Sequence, residues 1–238
     1  MTAATMPMSM HVEDRSPTLG RATGALALLQ IALFLVPMIV LGQAIGWPAS
    51  LRLPAHEVLP LIRANAGALV IGYGAYLLVS VAMVPLVFAV RAFLAERGQS
   101  GWHIDALTFI GAAAGIVKTL GIVRWLSVMP VLAQMHAADP AQRAIIETTY
   151  VAMNTYAGAV GELLGVQLLS GIWFTGIGAA FLALGWRMIG IGGVVVGLMF
   201  VAVAMRVAFP EAAALQGIAV PLVLVWLAIL GIATWRAR

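Results

Sequence analysis

Three ionised side chains lie inside stretches apolar enough to dissolve in lipid. Lys118 and Arg124 fall within residues 115–134, GIVKTLGIVRWLSVMPVLAQ, and Glu162 falls within residues 156–169, YAGAVGELLGVQLL. A charge at the centre of a membrane helix costs about 2.5–3.5 kcal/mol on insertion scales. Each therefore needs a partner, a water-filled cavity, or a side chain long enough to reach the interface. Two cations against one carboxylate also suit a pocket for a small anion, and a lone buried glutamate suits proton transfer.

The rest of the chemically capable residues narrow the field. The chain has no cysteine, which removes disulfides, thiolate catalysis and thiolate-bound metals. His11, His56, His103 and His136 fall in the amino-terminal tail or at the ends of apolar runs, with no H-E-x-x-H and no pair at helical spacing. No G-x-S-x-G elbow is present. GIGG at residues 190–193 lies within an apolar span, not between a strand and a helix, and is no phosphate loop. Met6, Met8, Met10 and His11 in the tail have the softness that Cu(I) prefers, but read as a disordered start. The net charge of +4 comes from scattered Lys and Arg with no basic stripe, which argues against nucleic acid. The expectation is no catalytic residue, no metal site, no cofactor and no nucleic-acid partner; the sequence leaves open whether the protein is an enzyme at all.

The elements that must position the three charges are membrane spans. Of 238 residues, 63% are hydrophobic and 9% charged, whereas a soluble domain is about half apolar and a quarter charged. Apolar runs recur at the roughly 20-residue length that crosses a bilayer as a helix. The fold class is all-α, a polytopic bundle of six spans, near residues 23–45, 64–90, 104–135, 149–184, 188–208 and 214–235. Residues 1–20 read as a disordered polar tail and 21–238 as one six-helix transmembrane domain. Seven Lys and Arg flank the spans on the side of the termini, against four on the other, which puts both termini in the cytoplasm.

Asp139, Pro140 and Gln142 have the types of an N-cap, a first helical residue and a capping-box partner. The third and fourth spans then form a long hairpin turning near Ala138. Folded there, Glu162 comes level with residue 115, and Lys118 lies about 4.5 Å away along the axis. Gly111, Gly115 and Lys118 share one helical face, and Gly158, Glu162 and Gly165 share another. A glycine-flanked pair of Lys118 with Glu162 follows from this register. Arg124 points about 120° away from Lys118. It either snorkels outward beside Trp125 or meets Asn154 or Tyr156, and a kink at Pro130 would bring it to Glu162 instead. Gln167, Gln30, Tyr73 and Tyr76 complete the candidate polar lining.

The stretches GIVRWLSVMPVLAQMHAADPAQRA and YVAMNTYAGAVGELLGVQLLSGIW, with the ending PLVLVWLAILGIA, resemble the bacterial domain-of-unknown-function 4386 family over roughly residues 20–235. Its pattern falls here on Arg124, Trp125, Pro130, Leu132 and Ala133, then Gly161, Glu162, Leu164, Gly165 and Trp173. The chain departs from it at Leu163, where the pattern often has histidine, and at Lys118, where it usually has a neutral polar residue. The departure at Lys118 leaves Arg124 and Glu162 as the shared core and counts against Lys118 as the sole partner, while the register favours Lys118, so both pairings of Glu162 stay open. The resemblance implies a six-helix protein of the bacterial inner membrane, and no established activity.

Three functions fit these residues. The first is a binding or transport module, with Lys118, Arg124 and Glu162 in a pocket for a small anionic or amphiphilic ligand among membrane lipids. The alternative is a membrane interaction or regulatory protein in which the charges only fix helix register. The third is an intramembrane enzyme using Glu162 as acid or base, which lacks an accompanying nucleophile or metal ligand. Oligomeric state is not legible.

Overall fold

A computed structural model describes residues 17–237, and their regular structure is helical. The helices are α1 (Pro17–Ile45), α2 (Ala55–Ala64), α3 (Ala66–Ala95), α4 (Trp102–Val123), α5 (Val128–Ala138), α6 (Arg143–Gly158), α7 (Ser170–Ala183), α8 (Arg187–Ala204) and α9 (Gln216–Arg236). A π-helix, Ala159–Leu169, joins α6 to α7. Six helical stretches are long and apolar enough to cross a membrane, and the protein is a multi-pass membrane protein. Helix α1 begins at Pro17, inside the segment expected to be a tail. The remainder of that segment, including Met6, Met8, Met10 and His11, lies outside the described residues.

The spans form a closed ring in chain order. Helix α1 packs on α3, α3 on α4, α4 on the π-helix, α7 on α8, α8 on α9, and α9 on α1. Glycines set the close contacts. A Cβ on Gly24 would sit 2.6 Å from the carbonyl oxygen of Gly231, and one on Gly121 would sit 2.4 Å from the Cα of Gly161. In lipid, where helices gain little from burying apolar surface against each other, such approach is what makes packing favourable.

The two ends of the ring differ. At one end the start of α1, the end of α9 and the end of α3 meet around Gly20, and Phe93 packs on Trp186 at 5.5 Å. A dense core including Phe93, Trp173, Phe174, Phe181, Phe200 and Trp226 fills that half. At the other end, the third and fourth spans run for 37 and 44 residues. At about 1.5 Å per residue these measure roughly 55 and 66 Å, well beyond a hydrocarbon core of about 30 Å. Their excess projects and packs with α2 into a cap, with Val58, Leu59, Ile62, Met129, Leu132 and Ile146 in its core. Helix α2 is an element that the apolar runs did not signal, being short and amphipathic.

The hairpin tip has the expected cap. Asp139 Oδ1 accepts from the Ala141 N–H at 2.9 Å, and Gln142 Nε2 donates to Asp139 Oδ2 at 2.7 Å rather than closing a strict capping box. Residues 140–142 form a short 3-10 turn before α6 starts. Contacts of Lys118 with Gly165, Gly121 with Gly161 and His136 with Glu147 centre the hairpin near residues 141–142, later than Ala138. The register expected for Glu162 is corrected accordingly: it lies level with Gly121, not with Gly115.

Candidate functional site

All six spans line a central cavity of about 1010 Å³. Its lining includes Trp47, Arg52, Arg206 and Gln216 at the cap end, so the cavity reaches that end of the bundle. Trp173 and Phe174 line it from the packed core of the other half. Local structure shapes the upper wall. Helix α1 ends at Gly46, whose φ of +67° suits glycine, with Trp47 N–H bonded back to Leu41 O at 3.2 Å. That reversal lays Trp47 over Tyr76 at 6.0 Å and Phe34 at 6.4 Å.

Arg124 sits where the third span breaks. Residues 124–127 are turn rather than helix, between α4 and α5. Pro130, expected as a kink point, instead falls in the first turn of α5, where its missing N–H is tolerated. The guanidinium takes up the polar groups this break exposes. Its Nη1 donates to Gly121 O at 2.6 Å, and Nε and Nη2 donate to Asn154 Oδ1 at 3.3 and 3.2 Å. It lies 5.2 Å from the Trp125 ring, which stacks on Tyr73 at 4.8 Å and 4°. Arg124 is only 6% exposed, which corrects the snorkelling alternative and selects Asn154.

Glu162 pairs with neither expected cation. Its Oε2 lies 3.6 Å from Nη2 of Arg206, whose Nη1 donates to Gln216 Oε1 at 3.2 Å. Lys118 Nζ contacts the Met83 thioether sulfur at 3.0 Å. The Lys118–Glu162 pair is therefore corrected, and the direction of the side chains explains why. Helical side chains lean toward the amino terminus of their own helix. Lys118 leans toward the start of α4, and Glu162, on an antiparallel helix, leans the other way, toward the cap. The glycine seam also differs: Gly111 faces Trp173 and Gly115 faces α3, while Gly121, Gly161 and Gly165 line the approach of the two spans.

Of the expected polar lining, Asn154, Gln30, Tyr73 and Tyr76 border the cavity. Tyr156 does not; it is 71% exposed on the outer surface. Gln167 is fully buried away from the cavity, and its amide has no partner among the described residues. Arg206 and Arg52 are cavity residues that the sequence presented as loop charges. The one available signal was the short connection after Leu184, which folds the fifth span back on the fourth and brings Arg206 near the level of Glu162. Among the described residues no three His, Asp or Glu side chains converge as a metal site would need.

With this geometry in place, comparison with known proteins adds one match. A family model, domain of unknown function DUF4386, covers residues 22–235. The chain belongs to that family. Arg124, Trp125, Glu162 and Trp173, which carry the family resemblance in the sequence, all line the central cavity. No curated protein and no solved structure matches the chain.

Proposed function

We propose that this member of the family is a membrane-embedded binding or transport module for a small anionic or amphiphilic ligand. The observation that carries the reading is the charge balance of the cavity. Arg52, Lys118, Arg124 and Arg206 line it against the single carboxylate of Glu162, within walls that are otherwise largely apolar. At about 1010 Å³ it stands at the upper end of the range of about 300–1,000 Å³ usual for small-molecule sites. A cation-rich, apolar-walled space suits an anionic head joined to an apolar body. The proposed setting is the bacterial inner membrane with both termini cytoplasmic, following the charge bias of the connections.

A second reading has its own support. Arg124 spends its three donated bonds on Gly121 and Asn154. Those contacts tie the broken third span to α6, as expected of a charge that fixes helix register in a protein with an interaction or regulatory role. The two readings separate on mass spectrometry of the full chain released gently from mild detergent. The binding reading expects an anionic small molecule or lipid on the wild type, and its loss from Arg206→Gln. Bare protein mass under every gentle condition, with no uptake from a panel of anionic lipids, would overturn it.

A further inference from the structure

Two residues that line the deeper part of the cavity carry N–H donors without acceptors. Gln30 Nε2 and Trp173 Nε1 are buried, and nothing among the described residues accepts from either. Gln30 is 5% exposed and Trp173 1%, and both line the cavity. Lys118 Nζ meets the sulfur of Met83, a weak and neutral acceptor.

Helix register brings these three toward one layer. Thr23 Oγ1 donates to Ala89 O at 3.3 Å, fixing the antiparallel pairing of α1 with α3. Gln30, about two turns further along α1, comes level with residue 82 and hence with Met83. Lys118 reaches Met83 from α4. The Trp173 indole packs against Gly111, on the side of α4 toward which Lys118 leans. Two other cations of the cavity already have oxygen partners: Arg124 at Gly121 and Asn154, and Arg206 at Glu162 and Gln216.

Resting on the reading that the cavity holds an anionic ligand, we infer that this layer is a carboxylate site. Lys118 supplies the charge, Gln30 and Trp173 supply flanking N–H donors, and the ligand is a monocarboxylate with an apolar body lying along Met83, Leu86, Phe174 and Leu227. Two arguments select the head group. Buried donors left without acceptors are costly, and a carboxylate offers about four lone-pair positions. One lysine balances one negative charge; a phosphate monoester, at about −1.5 to −2, would leave excess charge in apolar surroundings.

The test uses the full chain in nanodiscs of zwitterionic lipid, with decanoate, decanamide and decyl phosphate as probes and binding read by native mass spectrometry. Decanoate is expected to bind the wild type at least roughly tenfold more tightly than decanamide. Lys118→Met should erase that preference, Lys118→Arg should retain it, and Gln30→Leu and Trp173→Phe should each reduce it severalfold. Equal binding of decanoate and decanamide to the wild type overturns the inference without any variant. A preference that survives Lys118→Met overturns it as well, leaving the anionic cavity standing. Decyl phosphate binding that depends on Arg206 while decanoate fails to bind removes the carboxylate site alone. Failure of every probe on the wild type removes both the site and the reading beneath it.

Discussion

Replacing Arg124 removes three donated hydrogen bonds at once, and leaves Gly121 O and Asn154 Oδ1 to find others inside the protein. Losing partners of buried polar groups costs about 1–3 kcal/mol, so Arg124→Gln should destabilise by about that amount. Lys118 is the opposite case. Its ammonium meets a thioether, and no carboxylate among the described residues neutralises it. Lys118→Met removes a charge that insertion scales value at about 2.5–3.5 kcal/mol in a helix centre, and should leave stability unchanged or raise it. Thermal unfolding of both variants in mild detergent checks the pair, and a fall in melting temperature for Lys118→Met would sink the claim that this charge is held at a cost to the fold. The sequence exposed the residue types here and put Asn154 among the partners of Arg124, but misassigned the pairing of Lys118 and Glu162. Arg124, Lys118 and Glu162 stand out against apolar neighbours, whereas Arg206 looks like an ordinary span-end charge. The pairing depended on side-chain lean and on a hairpin centre a few residues later than the first cap signal, which helical periodicity alone does not encode.

The element that sets the cavity wall is the π-helix Ala159–Leu169, longer than the single-turn bulges in which π geometry mostly occurs. It packs against the second half of α4, and the turn at residues 124–127 lies just beyond it, level with the end of α6, where Arg124 meets Asn154. Neither departure from α-helix was legible, because AVGELLGVQLL has the composition of an ordinary membrane helix and Pro130 drew attention away from the actual break. The spans and the Asp139 cap were legible, since long apolar runs and capping side chains act locally. The end of α4 and the start of the π-helix come together at Gly121 and Gly161, where backbone lies against backbone. Gly121→Val would force α4 from the π-helix, because a Cα cannot yield as a flexible side chain can. Overpacking of this kind typically costs about 1–3 kcal/mol. Gly74→Ala is the matched control in α3, with nothing within 4 Å of its added Cβ. Unfolding of the two variants side by side should show a clear loss for Gly121→Val and none for Gly74→Ala; equal behaviour would mean that the glycine contact does not hold the hairpin.

On the scale of the whole molecule, an even number of spans puts the start of α1 and the end of α9 at one end and the cap at the other, and the cavity reaches the cap end. Which solution each end meets is a matter of charge. Arg15, Arg21, Arg236 and Arg238 flank the first and last spans closely enough to count in the bias of positive residues toward the cytoplasm, and Arg91, Arg97 and Arg187 add to the same end. Arg52, Arg63, Arg143 and Arg206 oppose them, and Arg206 is engaged with Glu162. The expected orientation has the cap and the cavity mouth outside the cytoplasm. Because the chain has no cysteine, single substitutions report cleanly. Ser100→Cys marks the connection between α3 and α4, Ala141→Cys marks the hairpin tip, and both positions are exposed. A membrane-impermeant maleimide applied to cells with permeabilised outer membranes should label Ala141→Cys at once, and Ser100→Cys only after lysis. The reverse pattern would turn the molecule over. The ligand would then reach Arg206 and Lys118 from the cytosol or the inner leaflet, and the search for it would move to that pool.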